Sequence, residues 1–158
     1  MADRSMIQKY REQATQLGDA IKGLTSEQLR AFPVPETWSI QQIVWHMVDS
    51  DVILADRMKR IIAEPNPLIM AFDETAFANN LFYQELDPTI GAKIFELNRI
   101  ATSEILSRLP DDTFTRTGVH NEVGKVTLGD FLEKSVAHMS HHMKFLNEKR
   151  KIVGGYEI

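Results

Sequence analysis

The sequence predicts an all-α fold, a four-helix bundle with one long crossover connection. Three observations carry this. Four stretches repeat apolar residues every three or four positions, the period of an amphipathic helix. Helix starts and stops are marked by Ser or Thr capping boxes, by proline and by glycine. Almost no stretch alternates apolar and polar residues as a half-buried strand does. Helices with one apolar face bury it against each other, and the bundle is the small solution to that requirement.

From Asp3 to about Lys22, the positions Met6, Ile7, Tyr10, Ala14, Leu17 and Ile21 define the first helix, which Gly23 stops. Thr25 with Gln28 forms a capping box for the short turn SEQLR, and Phe32 to Glu36, with Pro33 and Pro35, is an extended connection. Ser39 with Gln42 opens a second long helix whose stripe is Ile40, Ile43, Val44, Met47, Leu54, Met58 and Ile61, ended by Pro65. Pro65 to Asp87 reads as a loop crossing the bundle, with one short helix near AFDETAF, where Asp73 and Glu74 are acids of a helix start. Asp87 and Pro88 begin the third helix, with Ile90, Ile94, Leu97, Ala101, Ile105 and Leu109 as its apolar positions up to Pro110. Asp111 and Asp112 read as an N-terminal cap, and TGVHNEVGKVTL as a short hairpin or irregular turn with His120 a solvated loop residue. Thr127 with Asp130 opens the fourth helix, with Phe131, Leu132, Ser135, Met139, His142 and Leu146 on one side.

A chain of 158 residues is expected to form one domain spanning 1–158. Its net charge of −4, with lysine and arginine scattered, argues against nucleic acid or an anionic membrane as partner and leaves a small molecule. Cysteine is absent, which removes disulfides, a thiolate nucleophile and sulfur ligands, so a bound metal must be held by nitrogen and oxygen. With no apolar signal core and no apolar run near the roughly 20 residues of a membrane span, the expected compartment is the cytoplasm.

Three of the five histidines lie in AHMSHHMKFL. At about 100° per residue, His142 falls about 40° and His138 about 80° from the centre of the apolar stripe, one turn apart on one side, while His141 falls about 140° away. His138 and His142 thus form an HxxxH pair that can share one ion, although the pair His138 and His141 is not dismissed by geometry alone. A third ligand must come from another helix, and His46, on the shoulder of the second helix's stripe, is the candidate; Asp49 one turn on is placed to orient it. The competing reading is three satisfied core or surface histidines with no metal. Trp38, Trp45, Met47, Met139 and Met143 read as packing. Neither the paired ExxH motifs of carboxylate di-iron bundles nor HExxH occurs.

WSIQQIVWHMVDSD, AFDETAF and TLGDFLEKSVAHMSHHMKFL, taken in order, resemble the DinB/YfiT-like superfamily, four-helix bundles described as metal-dependent hydrolases, and within it the branch that includes bacillithiol S-transferases. The resemblance runs from about Trp38 to Leu146. It implies a nickel or zinc ion on His46, His138 and His142 with the remaining positions left to water, and a homodimer. Phe72 and Phe77 stand where the branch carries tyrosine and tryptophan. Three neutral imidazoles leave an ion its full charge and an open position, the pattern of a catalytic site. The expected function is therefore activation of water or of a low-molecular-weight thiol, as hydrolase or thiol S-transferase. A non-enzymatic metal-binding stress-response bundle is the alternative. Asp49, Asp73 and His141 are the candidates for a catalytic acid or base.

Overall fold

The computed structural model describes residues 4–154. The first helix is split into α1 (Arg4–Glu12) and α2 (Gln16–Ile21) by a 3-10 turn at Gln13–Thr15, followed by the short α3 (Ser26–Arg30). The long α4 (Ile40–Ala63), α6 (Pro88–Leu106) and α7 (Leu128–Ile152) complete the bundle, and α5 (Glu74–Asn80) is the short helix in the crossover. The capping boxes at Thr25, Ser39 and Thr127 all form, each hydroxyl accepting from the backbone N–H three residues on. Asp73 and Asp87 cap α5 and α6. Side chains rather than water thus satisfy the first free N–H groups of these helices, which is why local sequence placed their starts.

The core divides into two clusters. One gathers Leu17, Ile40, Val44, Met47, Phe95, Met139 and Leu146, and the other Tyr10, Met58, Ile61, Leu106, Leu128 and Phe131. Helices α4 and α7 run antiparallel: His46 meets His138 and His142 toward one end, and Arg57 reaches Phe131 toward the other.

The third helix departs from the expected packing. Its large aliphatic residues Ile90, Ile94, Leu97 and Ile105 are exposed, and the buried face consists of Gly91, Ala92, Phe95, Arg99, Thr102, Ser103 and Leu106. The reason lies in close approach and pairing. A Cβ at Gly91 would sit 3.3 Å from the Trp45 ring and from Val48, tighter than most Cβ contacts, so glycine lets these side chains approach closely. Arg99, turned inward, is matched by buried Asp51 of α4. Periodicity locates an apolar face without saying which neighbour it meets.

A three-stranded sheet closes one end. In it β1 (Leu68–Ile69), from the crossover, pairs parallel to β2 (Thr117–His120), and β2 pairs antiparallel to β3 (Gly124–Thr127). A short hairpin or irregular turn was expected here and the hairpin forms, whereas β1 was not expected, since two residues cannot show a period. His120 was expected to be solvated, but its side chain turns in, and its Nδ1 accepts from the Glu122 N–H at 3.2 Å. Strand alternation buries Gly118 and His120 and exposes Val119. Asp111 and Asp112 start a 3-10 turn (Asp111–Thr115) in which neither acts as N-cap. Among the described residues no helix is long and apolar enough to cross a membrane.

Candidate metal centre

The capping box at Ser39 sets where α4 begins, and two turns later His46 enters the interior, only 1% exposed. From α7, half-buried His138 and His142 turn toward it, one helical turn apart. The Nε2 of His46 stands 3.2 Å from the Nε2 of His138 and 3.2 Å from that of His142. One nitrogen from each of the three rings lies within 4.8 Å of the others, and among the described residues no carboxylate joins the group. The pair His138 and His142 is thus the one that converges with His46. His141 stays exposed, its ring set edge-on to His142 at 5.2 Å and to Phe145 at 4.9 Å, on the rim of the site.

Two neutral imidazoles facing each other can share one hydrogen bond, since each carries a single N–H. Three rings converging through Nε2 leave lone pairs without a donor. Ligand nitrogens at about 2.0–2.1 Å from a tetrahedral ion are roughly 3.3 Å apart, close to the separations here. The donor set, all imidazole nitrogen, suits a borderline divalent ion such as zinc or nickel.

Burial, with the like charge each neighbour would carry, holds the rings neutral. The pKa of His46 is lowered to about 3, by burial first and then by His142 and His138. Those of His138 and His142 are lowered to about 4, again by burial first, with the further effect of His142, Lys134 and His141 on His138 and of His141 on His142. Neutral rings are competent ligands at neutral pH. The unfolded chain binds protons near pH 6.5, whereas the folded one resists until about pH 4, so the unfolded state holds more protons in that window. The metal-free protein is therefore expected to lose stability as pH falls from about 6.5 to 4. Thermal melts of chelator-treated protein across that range check this, and a flat profile sinks it.

Trp38 lies against His46 with ring centroids 4.7 Å apart and also packs on the core, so its expected packing role extends to the site. Asp49 does not orient His46: its carboxylate accepts the Tyr83 hydroxyl proton at 2.5 Å, and Ser50 Oγ is the group near the His46 ring, at 3.5 Å. Burial and the Asp49 carboxylate push the Tyr83 hydroxyl well above its usual range. Asp73 is engaged as the α5 cap, accepting from Ala76 N–H at 2.9 Å. Tyr83 was missed in the sequence because it sits in the crossover, where no periodicity says which residues turn inward. Phe72 and Phe77 pack edge to face at 5.0 Å in the same segment.

A four-helix bundle with an antiparallel pair of core helices delivering three neutral imidazoles to one point defines a metal-site bundle protein. The sequence profile of the DinB superfamily matches residues 9–146. The chain belongs to the DinB superfamily. It is similar to the solved structure of YfiT from Bacillus subtilis, described as a probable metal-dependent hydrolase with an unusual four-helix bundle topology. The TM-score is 0.90 at 25% identity, covering 97% of this chain and 88% of that one. In sequence, YfiT of Bacillus subtilis (strain 168) is 26% identical over 149 residues, 94% of this chain and 84% of its own length. A protein of Oceanobacillus iheyensis, named in similar terms, is 28% identical over 137 residues, 85% of this chain and 79% of its own length.

Proposed function

We propose that the chain is a metal-dependent enzyme in which His46, His138 and His142 hold a nickel or zinc ion, acting as a thiol S-transferase or hydrolase. The convergence of three neutral imidazoles, with no carboxylate among them, carries this reading. The relatives named as metal-dependent hydrolases support it. A divalent ion bound there supplies a Lewis-acid charge that lowers the pKa of a thiol or water brought to its open side.

The protein's own residues do the rest. The three imidazoles face the site uncharged, so they leave the ion's charge undiminished. Trp38 walls His46 on one side. The Tyr83 hydroxyl donates to the Asp49 carboxylate, and His141 stands exposed on the rim beside His142. A thiol nucleophile must arrive as cosubstrate, because the chain has no cysteine. That dependence on a reduced small thiol fits a cytoplasmic enzyme.

The test is turnover of an electrophile panel of aryl halides, epoxides and esters by zinc- and nickel-loaded protein, each with and without a small thiol. Turnover that requires thiol marks a transferase, and turnover without it a hydrolase. No turnover with either metal under either condition overturns the enzymatic reading and leaves a metal-binding bundle.

The same proposal includes a homodimer formed through α6. Ile90 is 57% and Leu97 55% exposed, and with Ile94 and Ile105 they make one apolar stripe along the helix. Exposed apolar stripes of this length are normally covered. Leu97→Glu is expected to turn a dimer into a monomer, read by sedimentation, with the melting temperature of the bundle little changed. A wild-type protein that is monomeric at tens of micromolar sinks this part.

A further inference from the structure

Apart from the imidazoles, a second cleft of about 230 Å³ lies between α4, α7 and the sheet, lined by Arg57, Phe131, Lys134 and His120 among others. Lys134 links the two places. It is one turn before His138 on α7, its charge acts on both His138 and His120, and it lines the cleft. On the α4 side the cleft is lined by Arg57, only 5% exposed. The Arg57 guanidinium lies near the Phe72 and Phe131 rings, 5.9 and 5.8 Å from their centroids, and donates from Nη2 to the Met70 carbonyl at 2.6 Å. Its Nε is buried with no hydrogen-bond partner among the described residues. A buried charged donor left unpaired is costly, so the guanidinium favours an acceptor brought to it.

The other charges of the cleft are acidic. Glu74 at the start of α5 and Glu122 in the hairpin line it, and neither makes an ion pair with Arg57 or Lys134 within 4.0 Å. Asp130 is committed to the cap of α7 and His120 to the Glu122 backbone. Two cations and three carboxylates therefore line one small cleft, with Glu122 acting on Arg57 at longer range and no ion pair closed within 4.0 Å. A plain anion would be repelled by the glutamates, and a plain cation by Arg57 and Lys134. A ligand bearing both charges meets each with its opposite.

We propose that this cleft is a subsite for a zwitterionic, amino-acid-like end of the substrate or thiol cosubstrate, its carboxylate on Arg57 and Lys134 and its ammonium on Glu74 and Glu122. That the ligand is a substrate rests on the enzymatic reading of the neighbouring imidazoles; the cleft's charge recognition does not.

The test titrates ¹⁵N-labelled protein with three size-matched probes, 2-aminobutyrate, butyrate and propylamine, following amide shifts around residues 57, 74, 122 and 134. The aminobutyrate Kd is expected about ten-fold or more below those of the single-charge probes. Arg57→Met, Lys134→Ala and the Glu74→Gln/Glu122→Gln pair should each erase that preference. Lys134, Glu74 and Glu122 are exposed, so their variants stay informative if Arg57→Met fails to fold. Binding should persist in His142→Ala, which separates it from chelation of a metal at the imidazoles. Equal Kd values for all three probes, a preference untouched by Lys134→Ala and the glutamine pair, or binding lost only in His142→Ala overturns the proposal. Cleft binding that survives in a protein without turnover would instead count against the enzymatic reading alone.

Discussion

His142→Ala is expected to empty the metal centre and abolish any metal-dependent turnover. Of the three converging nitrogens, those of His138 and His142 each approach His46 Nε2 to 3.2 Å, and removing one leaves two imidazoles on separate helices. Changes to groups that merely support a ligand cost about 10–100-fold in metal affinity, and loss of a ligand itself exceeds that. Metal content after gel filtration, measured by mass spectrometry for wild type and variant, is the direct check. The bundle should still fold, because His142 is half-buried at the edge of the α7 core face and the imidazole cluster is a site where unfilled lone pairs crowd together. His141→Ala is the matched control and should keep the metal. Equal and negligible metal in wild type and His142→Ala would sink the assignment. Equal, full occupancy in both would move the ligand set elsewhere.

Asp51→Ala is expected to be the most destabilising single change in the bundle core, by about 3–5 kcal/mol, because it strands a buried charge. Arg99 is 1% exposed and Asp51 2%. The guanidinium Nε donates to Asp51 Oδ1 at 2.9 Å, Nη1 to Gln13 Oε1 at 2.7 Å and Nη2 to the Ser135 carbonyl at 3.0 Å, while Asn98 donates to the second Asp51 oxygen at 2.7 Å. Tyr10 and Phe95 lie against the guanidinium at 4.3 and 4.6 Å. One cation thus ties α4, α6, α7 and the 3-10 turn after α1. Burial pushes the Asp51 carboxyl up in pKa despite Arg99 pulling it down, so desolvation is a large cost that the pairing only offsets. A loss of about 3–5 kcal/mol lowers the melting temperature by roughly 6–20 °C in a chain of this size. The double variant Asp51→Leu/Arg99→Met should recover most of the loss, since neither charge is then buried alone. A double variant as unstable as Asp51→Ala would mean that packing, not the unpaired charge, dominates.

Much of this molecule was readable locally. The capping boxes at Thr25, Ser39 and Thr127, the proline start of α6 and the helical spacing of His138 and His142 depend on residues within one or two turns of each other, and all appear as expected. His141 was expected to face outward, and it is exposed. His46 was the expected third partner from its place on the second helix, the DinB resemblance implied the same residue, and the structure brings that ring to the other two.

What sequence by itself determined is therefore where the long helices begin and which side chains share a face, because those follow from backbone hydrogen bonding and a 3.6-residue repeat. Only the tertiary structure decided which face meets which neighbour. The aliphatic stripe of α6 turned outward because Gly91 admits Trp45 and Val48, and because Asp51 of α4 requires Arg99 inside. Tyr83 claimed Asp49 from 34 residues away, and the two-residue β1 found β2 across the crossover. Arg57, which helical spacing alone does not single out, is a buried wall of the second cleft. Each of these is a pairing between groups far apart in the chain, whose energy depends on distance and burial, and neither quantity is carried by local spacing.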